Sequence, residues 1–285
     1  MLQGVVSGLA GGGTFAALGL LLTVMYRLTA TVNLAIAATG VVGVYVMALL
    51  VQAGWPYGAA ALAGIVAGAL ASVCCGLIMT RWFATGGPQI RTAVSIAQLI
   101  GLIALAYICF GDEPRVLPNP ADGRVATVAG VTITLGSVIL IALAVLIGAG
   151  IHVLLTRTSL GLRLRARAER PITTELLGIG TRALTVTVWG LSGALASIVL
   201  LLVAPVRSSD ILSLSMLIVP ACAAALVGGL RLLSGALLGG LGLGLLEGAL
   251  AGSASAQQYR DVVPFVVILF ILVWNQRGEV WDAAR

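Results

Sequence analysis

Apolar residues along this chain neither alternate nor recur on one helical stripe. They run in long unbroken blocks separated by short polar breaks such as "QAGWPYG" and "RWFATGGPQIR". A bilayer core about 30 Å thick takes roughly 20 residues of helix to cross, and each block is of that order. Nine blocks result, at about 4–26, 33–53, 56–80, 90–110, 134–156, 183–204, 212–230, 235–252 and 261–276. The seventh and ninth are short for a straight crossing, so a tilted, broken or re-entrant path is expected at either, and the count is eight if one of them fails to cross. Two breaks are long. The stretch 111–133 is rich in turn residues (Pro114, Pro118, Pro120, Gly123), and its tail is expected to form a hairpin or lie on the membrane. The other long break is 157–182.

Composition agrees with this pattern. The chain is 60% hydrophobic and only 9% charged, with 37 glycines in 285 residues and a mean hydropathy of +1.12. Soluble domains hold about 45–50% apolar and about 25% charged residues. The expected fold class is therefore all-α: a polytopic membrane protein of about eight to nine transmembrane helices, with residues 1–285 forming one membrane unit. The first block is long enough to span and is expected to stay as an anchor rather than be removed as a cleavable signal.

Charge orients the stack. With 157–182 placed in the cytoplasm, twelve of the sixteen arginines fall inside and four (Arg115, Arg124, Arg207, Arg260) fall outside. That is the positive-inside bias. It predicts an external N-terminus and a cytoplasmic C-terminus. No extended soluble segment carries a basic surface, so nucleic acid is not an expected partner.

Much enzyme chemistry is excluded. His152 is the single histidine, so no metalloprotease or Ser/His arrangement is available. It reads as a packing residue. The four cysteines lie in apolar blocks without metal spacing, and they read as small core residues. The chain has no lysine, hence no Gly-rich phosphate loop of the usual kind, and no cofactor or metal is expected on it. Catalytic residues are likewise not expected. The residues that remain as candidates for a pathway are polar groups within the blocks: Asn33, Thr39, Ser95, Gln98, Ser192, Ser215 and the one deeply placed acid, Glu247. Uncharged groups dominate that set, which suits a polar or zwitterionic small solute better than a proton relay. Gly240, Gly244, Gly248 and Gly252 recur every four residues, which places them on one face of a helix for close packing, with Glu247 about a quarter turn away.

Segment 157–182 holds five arginines within fourteen positions, Arg157 to Arg170. Read as a helix, it places Arg163, Arg167 and Arg170 on one face, and Pro171 ends it. Glu169, Glu175 and Gly178 follow in a second short element. Clustered arginine suits anionic lipid. The interleaved acids and the ordered "ELLGI" suit a docked protein.

Several stretches, in order, carry a resemblance to a known family. "TRTSLGLRLRARAERPITTELLGIGTRALTVTVWGLSGALASIVLLL" (156–202) closely resembles the cytoplasmic loop and following span of the branched-chain amino acid ABC transporter permeases. "ALGLLLTVMYRLTATVNLA", "VAGVTITLGSVILIALAVLI", "AAALVGGLRLLSGALLGGLGLGLLEG" and "YRDVVPFVVILFILVW" resemble other parts of the same family. The resemblance implies the permease subunit of an importer in a bacterial cell membrane. Its expected partners are a second related permease, two cytoplasmic ATP-binding subunits, an extracytoplasmic solute-binding protein and the surrounding lipid. ATP would be bound by those partners. The resemblance makes 157–182 the coupling loop, with Arg163, Arg167, Arg170, Glu169, Glu175 and Gly178 contacting the ATPase. The chain departs from the family where Asn33 is followed by apolar Leu34 to Ala38 instead of a His-Gly-acid stretch, and at Trp274–Gly278. The implied solutes are branched-chain or related amino acids. A self-sufficient channel or facilitator for a small polar solute such as urea or an amide is the alternative reading.

Overall fold

The computed structural model describes the chain except residues 1, 114, 116, 118, 120–122, 129–130, 170–173, 175, 177–179, 207–209, 253–255 and 284–285. The N-terminal half holds α1 (Leu2–Thr29), α2 (Ile36–Gln52), α3 (Tyr57–Trp82) and α4 (Pro88–Phe110). A two-stranded antiparallel hairpin follows, β1 (Arg124–Val128) with β2 (Val131–Thr134), in the register Val128↔Val131 and Thr127↔Thr132. Of the two forms expected for the tail of 111–133, the hairpin is the one adopted. Thr134 then caps α5 (Leu135–Arg157), its hydroxyl accepting from the Ser137 N–H at 3.4 Å.

The second half continues with α6 (Ser159–Glu169), α7 (Thr181–Val203), α8 (Ile211–Ser215), α9 (Ile218–Val227) and α10 (Leu233–Ala251). A 3₁₀ turn, Gln257–Val262, leads into α11 (Val263–Ala283). All nine predicted blocks coincide with helix. Seven helices among the described residues are long and apolar enough to cross a membrane, and the shorter apolar pieces are Ile36–Gln52 and Ile211–Val227. The seventh block is the broken one. The ninth is not short, because its 3₁₀ start and α11 together continue well past the predicted end.

Between helices surrounded by lipid there is little hydrophobic driving force, so contact depends on small residues that let backbones approach. The central pair is α1 with α10, packed antiparallel. A Cβ added to Gly4 would lie 2.5 Å from the Gly248 carbonyl oxygen and 2.8 Å from the Gly252 Cα. Added at Gly12 it would lie 3.2 Å from the Leu241 Cα, and added at Gly8, Gly240 or Gly244 it would overlap the partner backbone outright. The glycine face predicted on α10 is thus one half of a zipper, whose other half is Gly4, Gly8, Gly12 and Ala16 on α1.

A second unit joins α2, α3 and α7 in the same manner. A Cβ on Gly43 would lie 2.6 Å from the Gly64 oxygen, and one on Gly76 would lie 2.7 Å from the Trp189 ring. Trp189 is fully buried there, and the Ser72 hydroxyl donates to its carbonyl at 2.7 Å. Residues 12–25 of α1 and most of α2 are buried. By contrast α4 and α11 turn large apolar side chains outward, among them Ile100, Ile108, Phe265 and Leu269, as a lipid solvent permits.

The zipper predicts a sharp asymmetry between two glycines of one helix. Gly244→Leu drives a side chain into the Gly12 backbone, whereas a Cβ on Gly242 meets nothing within 4 Å. Overpacking of that kind costs about 1–3 kcal/mol or more. Thermal melting of the purified variants should show a large drop for Gly244→Leu and almost none for Gly242→Leu, and equal melting of the two would refute the close approach.

Candidate functional site

The break in the seventh block has a local cause. Pro220 has no N–H to give the Met216 carbonyl, and its ring crowds the preceding turn. The Val219 N–H takes that carbonyl instead, at 3.0 Å, and the Leu217 N–H bonds Leu214 at 3.3 Å, both three residues back. Helix therefore stops at Ser215 and restarts at Ile218. Asp210 starts the first piece, its Oδ2 accepting from the Ser213 N–H at 2.9 Å. Burial alone would raise the Asp210 carboxyl; hydrogen bonds from Ser213, Leu212 and Tyr107 outweigh it and hold the group below the usual carboxylate range.

Irregular backbone at membrane depth is tolerated where it is buried in protein or lines a cavity, and here it lines one. A cavity of about 840 Å³ lies between α1, the broken α8–α9, α10 and the start of α11. Met216, Leu217, Val219 and Pro220 form part of its wall, with Gly8, Thr14 and Phe15 from α1 and Glu247 from α10. Glu247 is 7% exposed. It lies four residues, about 6 Å, from the end of α10, so it is shallower than its place in the sequence block suggests. At the rim Arg260 and Asp261 pair at 3.7 Å, both open to solvent. Such an exposed pair contributes little to stability.

Of the seven polar residues singled out in the sequence, Glu247 alone lines this cavity. The rest serve the backbone or the packing. The Asn33 Oδ1 accepts from the Ala35 N–H at 3.1 Å, closing the non-helical link between α1 and α2. Ser95 on α4 clamps the same link, accepting from the Leu34 N–H at 3.3 Å and donating to the Val32 carbonyl at 2.8 Å. Thr39 donates back along its own helix to Ile36 at 2.8 Å. Gln98 donates to the Cys75 carbonyl at 3.0 Å, tying α4 to α3. Ser192 borders a void of about 20 Å³ among leucines beneath α6, and Ser215 is fully buried beside the break.

The basic segment forms α6 as predicted, but its arginine face is divided. Thr158 starts the helix by accepting from the Gly161 N–H at 3.0 Å, and Gly161 lets α6 fold back against the backbone at Leu154 and Leu155. Leu164 is buried, while Arg163, Arg165 and Glu169 are exposed. Arg167 instead turns inward, and its guanidinium donates to the Leu28 carbonyl at 2.8 Å. Arg91, at the start of α4, donates to the next carbonyl, Thr29, at 3.4 Å and also to Ala84. Two arginines thus satisfy the last carbonyls of α1, the favourable end for a cation. Arg163 and Arg167, expected on one face, thus differ in setting: Arg163 is exposed, while Arg167 makes a contact within the chain. Arg170, Glu175 and Gly178 lie outside the described residues.

Reasoning from sequence missed Thr14, Arg260, Asp261 and Arg91. It also missed two patterns that were present to be seen: a proline inside the seventh block, and glycines every four residues at the start of α1.

Residues 4–272 match the family model described as branched-chain amino acid transport system / permease component. The chain belongs to that family. It is 27% identical to the high-affinity branched-chain amino acid transport system permease protein BraD of Pseudomonas aeruginosa, over 97% of this chain and 94% of that protein. It is 25% identical to the corresponding LivH of Escherichia coli K12 over the same shares. A probable LivH of Methanocaldococcus jannaschii is 30% identical over 48% of this chain and 46% of that protein. Among solved structures, a chain of PsaBC from Streptococcus pneumoniae in complex with Fab aligns at a TM-score of 0.49 and 13% identity, covering 95% of this chain and 89% of that one. The protein is thus a multi-pass membrane permease component of a transport family.

The arginine caps predict a stability difference within α6. Removing a cation from the last turn of a helix costs about 0.3–2 kcal/mol, more when it is partly buried. Arg167→Ala should lower the melting temperature of the purified protein measurably, while exposed Arg163→Ala leaves it unchanged. The reverse order would place the wrong arginine against α1.

Proposed function

We propose that this chain is the membrane-spanning subunit of an ABC importer and forms the pathway for a small polar solute, a branched-chain or related amino acid. The observation that carries the reading is the broken α8–α9 lining a cavity together with the buried acid Glu247. Discontinuous helices supply free backbone groups to a solute at membrane depth, and such breaks mark binding sites in carriers. The names of the relatives supply the solute class. ATP is hydrolysed on separate cytoplasmic subunits that dock on the 157–182 loop, and a second permease and a solute-binding protein complete the assembly. The chain lies in the cell membrane with its N-terminus outside and C-terminus inside. Support for that orientation is the arginine bias, with Arg91 and Arg167 meeting at one end of α1.

The exposed part of the basic face is the docking surface: Arg163 and Glu169, with Arg170, Glu175 and Gly178 continuing it in sequence. Arg167 acts behind that surface. Its bond to Leu28 ties α6 to the end of the helix that also lines the cavity, so displacement of α6 by an ATPase pulls on α1.

Co-expression with its neighbouring genes should yield a complex containing an ATPase and a second permease, and leucine uptake into proteoliposomes should require ATP. Arg163→Ala combined with Glu169→Ala should reduce solute-stimulated ATP hydrolysis several-fold while the subunit still inserts. Uptake by the chain alone under ATP depletion would sink the importer reading and favour the facilitator.

A further inference from the structure

We propose that the corner where α1 and α3 end and α4 begins is a binding site for an anionic phospholipid. Arg27, Arg81 and Arg91 hold the lipid phosphate, and an acyl chain lies along the outer face of α3. The site is separate from the cavity and independent of which solute is carried.

Side chains assemble this corner from three helix ends. The last carbonyls of α1 have no partner within their own helix. Arg91, in the first turn of α4, reaches across to take the Thr29 carbonyl at 3.4 Å. The same guanidinium donates to Ala84, in the link that follows α3, so one side chain draws α1, α3 and α4 together. Arg167 closes the corner from α6 through Leu28. Arg27 lies two residues before Thr29 and Arg81 three residues before Ala84, and both are exposed. Among the described residues none of Arg27, Arg81 and Arg91 is ion-paired. The Arg91 Nε, moreover, is buried without an acceptor, so the chain itself does not use the whole guanidinium fork. Cations gathered without paired acids leave a positive potential that attracts an anion.

The surroundings identify that anion as a lipid headgroup. Arg81 and Trp82 end a helix long and apolar enough to cross a membrane, so the corner lies at the membrane boundary. Tryptophan is enriched at that level, and Trp82 is largely exposed there. Deeper along α3, Leu70, Leu77 and Ile78 turn outward, and Ile90 does so at the start of α4. They form a hydrocarbon face that runs up to the cationic corner, the two halves that a phospholipid needs. Basic sites between membrane helices take the headgroups of anionic phospholipids in this way. A free phosphate would use the arginines and make no use of Trp82 or the apolar face.

The test places the full chain in vesicles of phosphatidylcholine and phosphatidylglycerol, with bromine on the acyl chains of one lipid or the other. Bromine quenches only nearby indoles, and the difference between wild type and Trp82→Phe isolates the Trp82 signal. Trp82 should report a preference for phosphatidylglycerol of about tenfold or more, since each arginine near the surface adds to the attraction. Arg27→Gln combined with Arg81→Gln should remove the preference. Arg165→Gln should keep it, because Arg165 is exposed and lies about 200° around α6 from Arg167. Wild type in about 1 M salt, where the Debye length is about 3 Å, should lose most of the preference, and this measurement stands if the double variant fails to insert. Equal quenching by the two lipids in the wild type overturns the proposal and leaves the corner to a protein partner. A preference that survives the double substitution or the high salt overturns it too. Equal loss in Arg165→Gln does the same, by assigning the effect to overall surface charge. Abolition of the preference by inorganic phosphate, at an ionic strength where chloride leaves it intact, would make the ligand a free anion and overturn the lipid assignment.

Discussion

The backbone-to-backbone contact of α1 with α10 is the constraint on which the rest of the structure depends. Hydrocarbon around a helix is no worse a neighbour than hydrocarbon on another helix, so association requires a close fit that lipid cannot match. Glycines on both helices provide it, Gly4, Gly8 and Gly12 facing Gly240, Gly244 and Gly248. The contact fixes the flank of α10 on which Glu247 lies and brings it to a cavity that the same part of α1 lines. One helix therefore carries the wall of the cavity at its beginning and the two arginine-held carbonyls, Leu28 and Thr29, at its end.

The polar groups within the membrane divide according to what they satisfy. Backbone that leaves the helical pattern must be hydrogen-bonded, because lipid offers no water. Asn33 and Ser95 meet that need in the link between α1 and α2, and Ser72 and Gln98 bind the backbone of neighbouring helices. The break before Pro220 faces the cavity instead, and its own backbone supplies the partners there, the Met216 and Leu217 carbonyls accepting from the Val219 and Ala221 N–H groups.

Much of this architecture was legible in the order of residues. The nine apolar blocks became helices because hydropathy over about 20 residues is a local property that a bilayer reads directly. The α10 glycine face was legible from its period, as was the amphipathic α6 from its alternation of leucine and arginine. The functional roles of single polar residues were less legible. Asn33, Thr39, Ser95, Gln98, Ser192 and Ser215 are chemically as suitable for a pathway as Glu247, and nothing in their immediate neighbours separates them. Arg167 shows the same difficulty. Its spacing from Arg163 places both on one face of an ideal helix, yet the end of α1 lies close enough to take one of them inward.

The sequence by itself determined that this is an all-α membrane protein, that without lysine it carries no ATP-binding loop of the usual kind, and which family it resembles. These follow from composition, block length and short motifs, all local quantities. Only the tertiary structure decided that Glu247 lines the large cavity while the other six pathway candidates lie outside that lining, and that Arg167 caps α1. Those outcomes depend on which helices meet. The meeting of α1 with α10 joins residues more than two hundred positions apart through glycine surfaces whose match is a property of the pair and of neither helix alone.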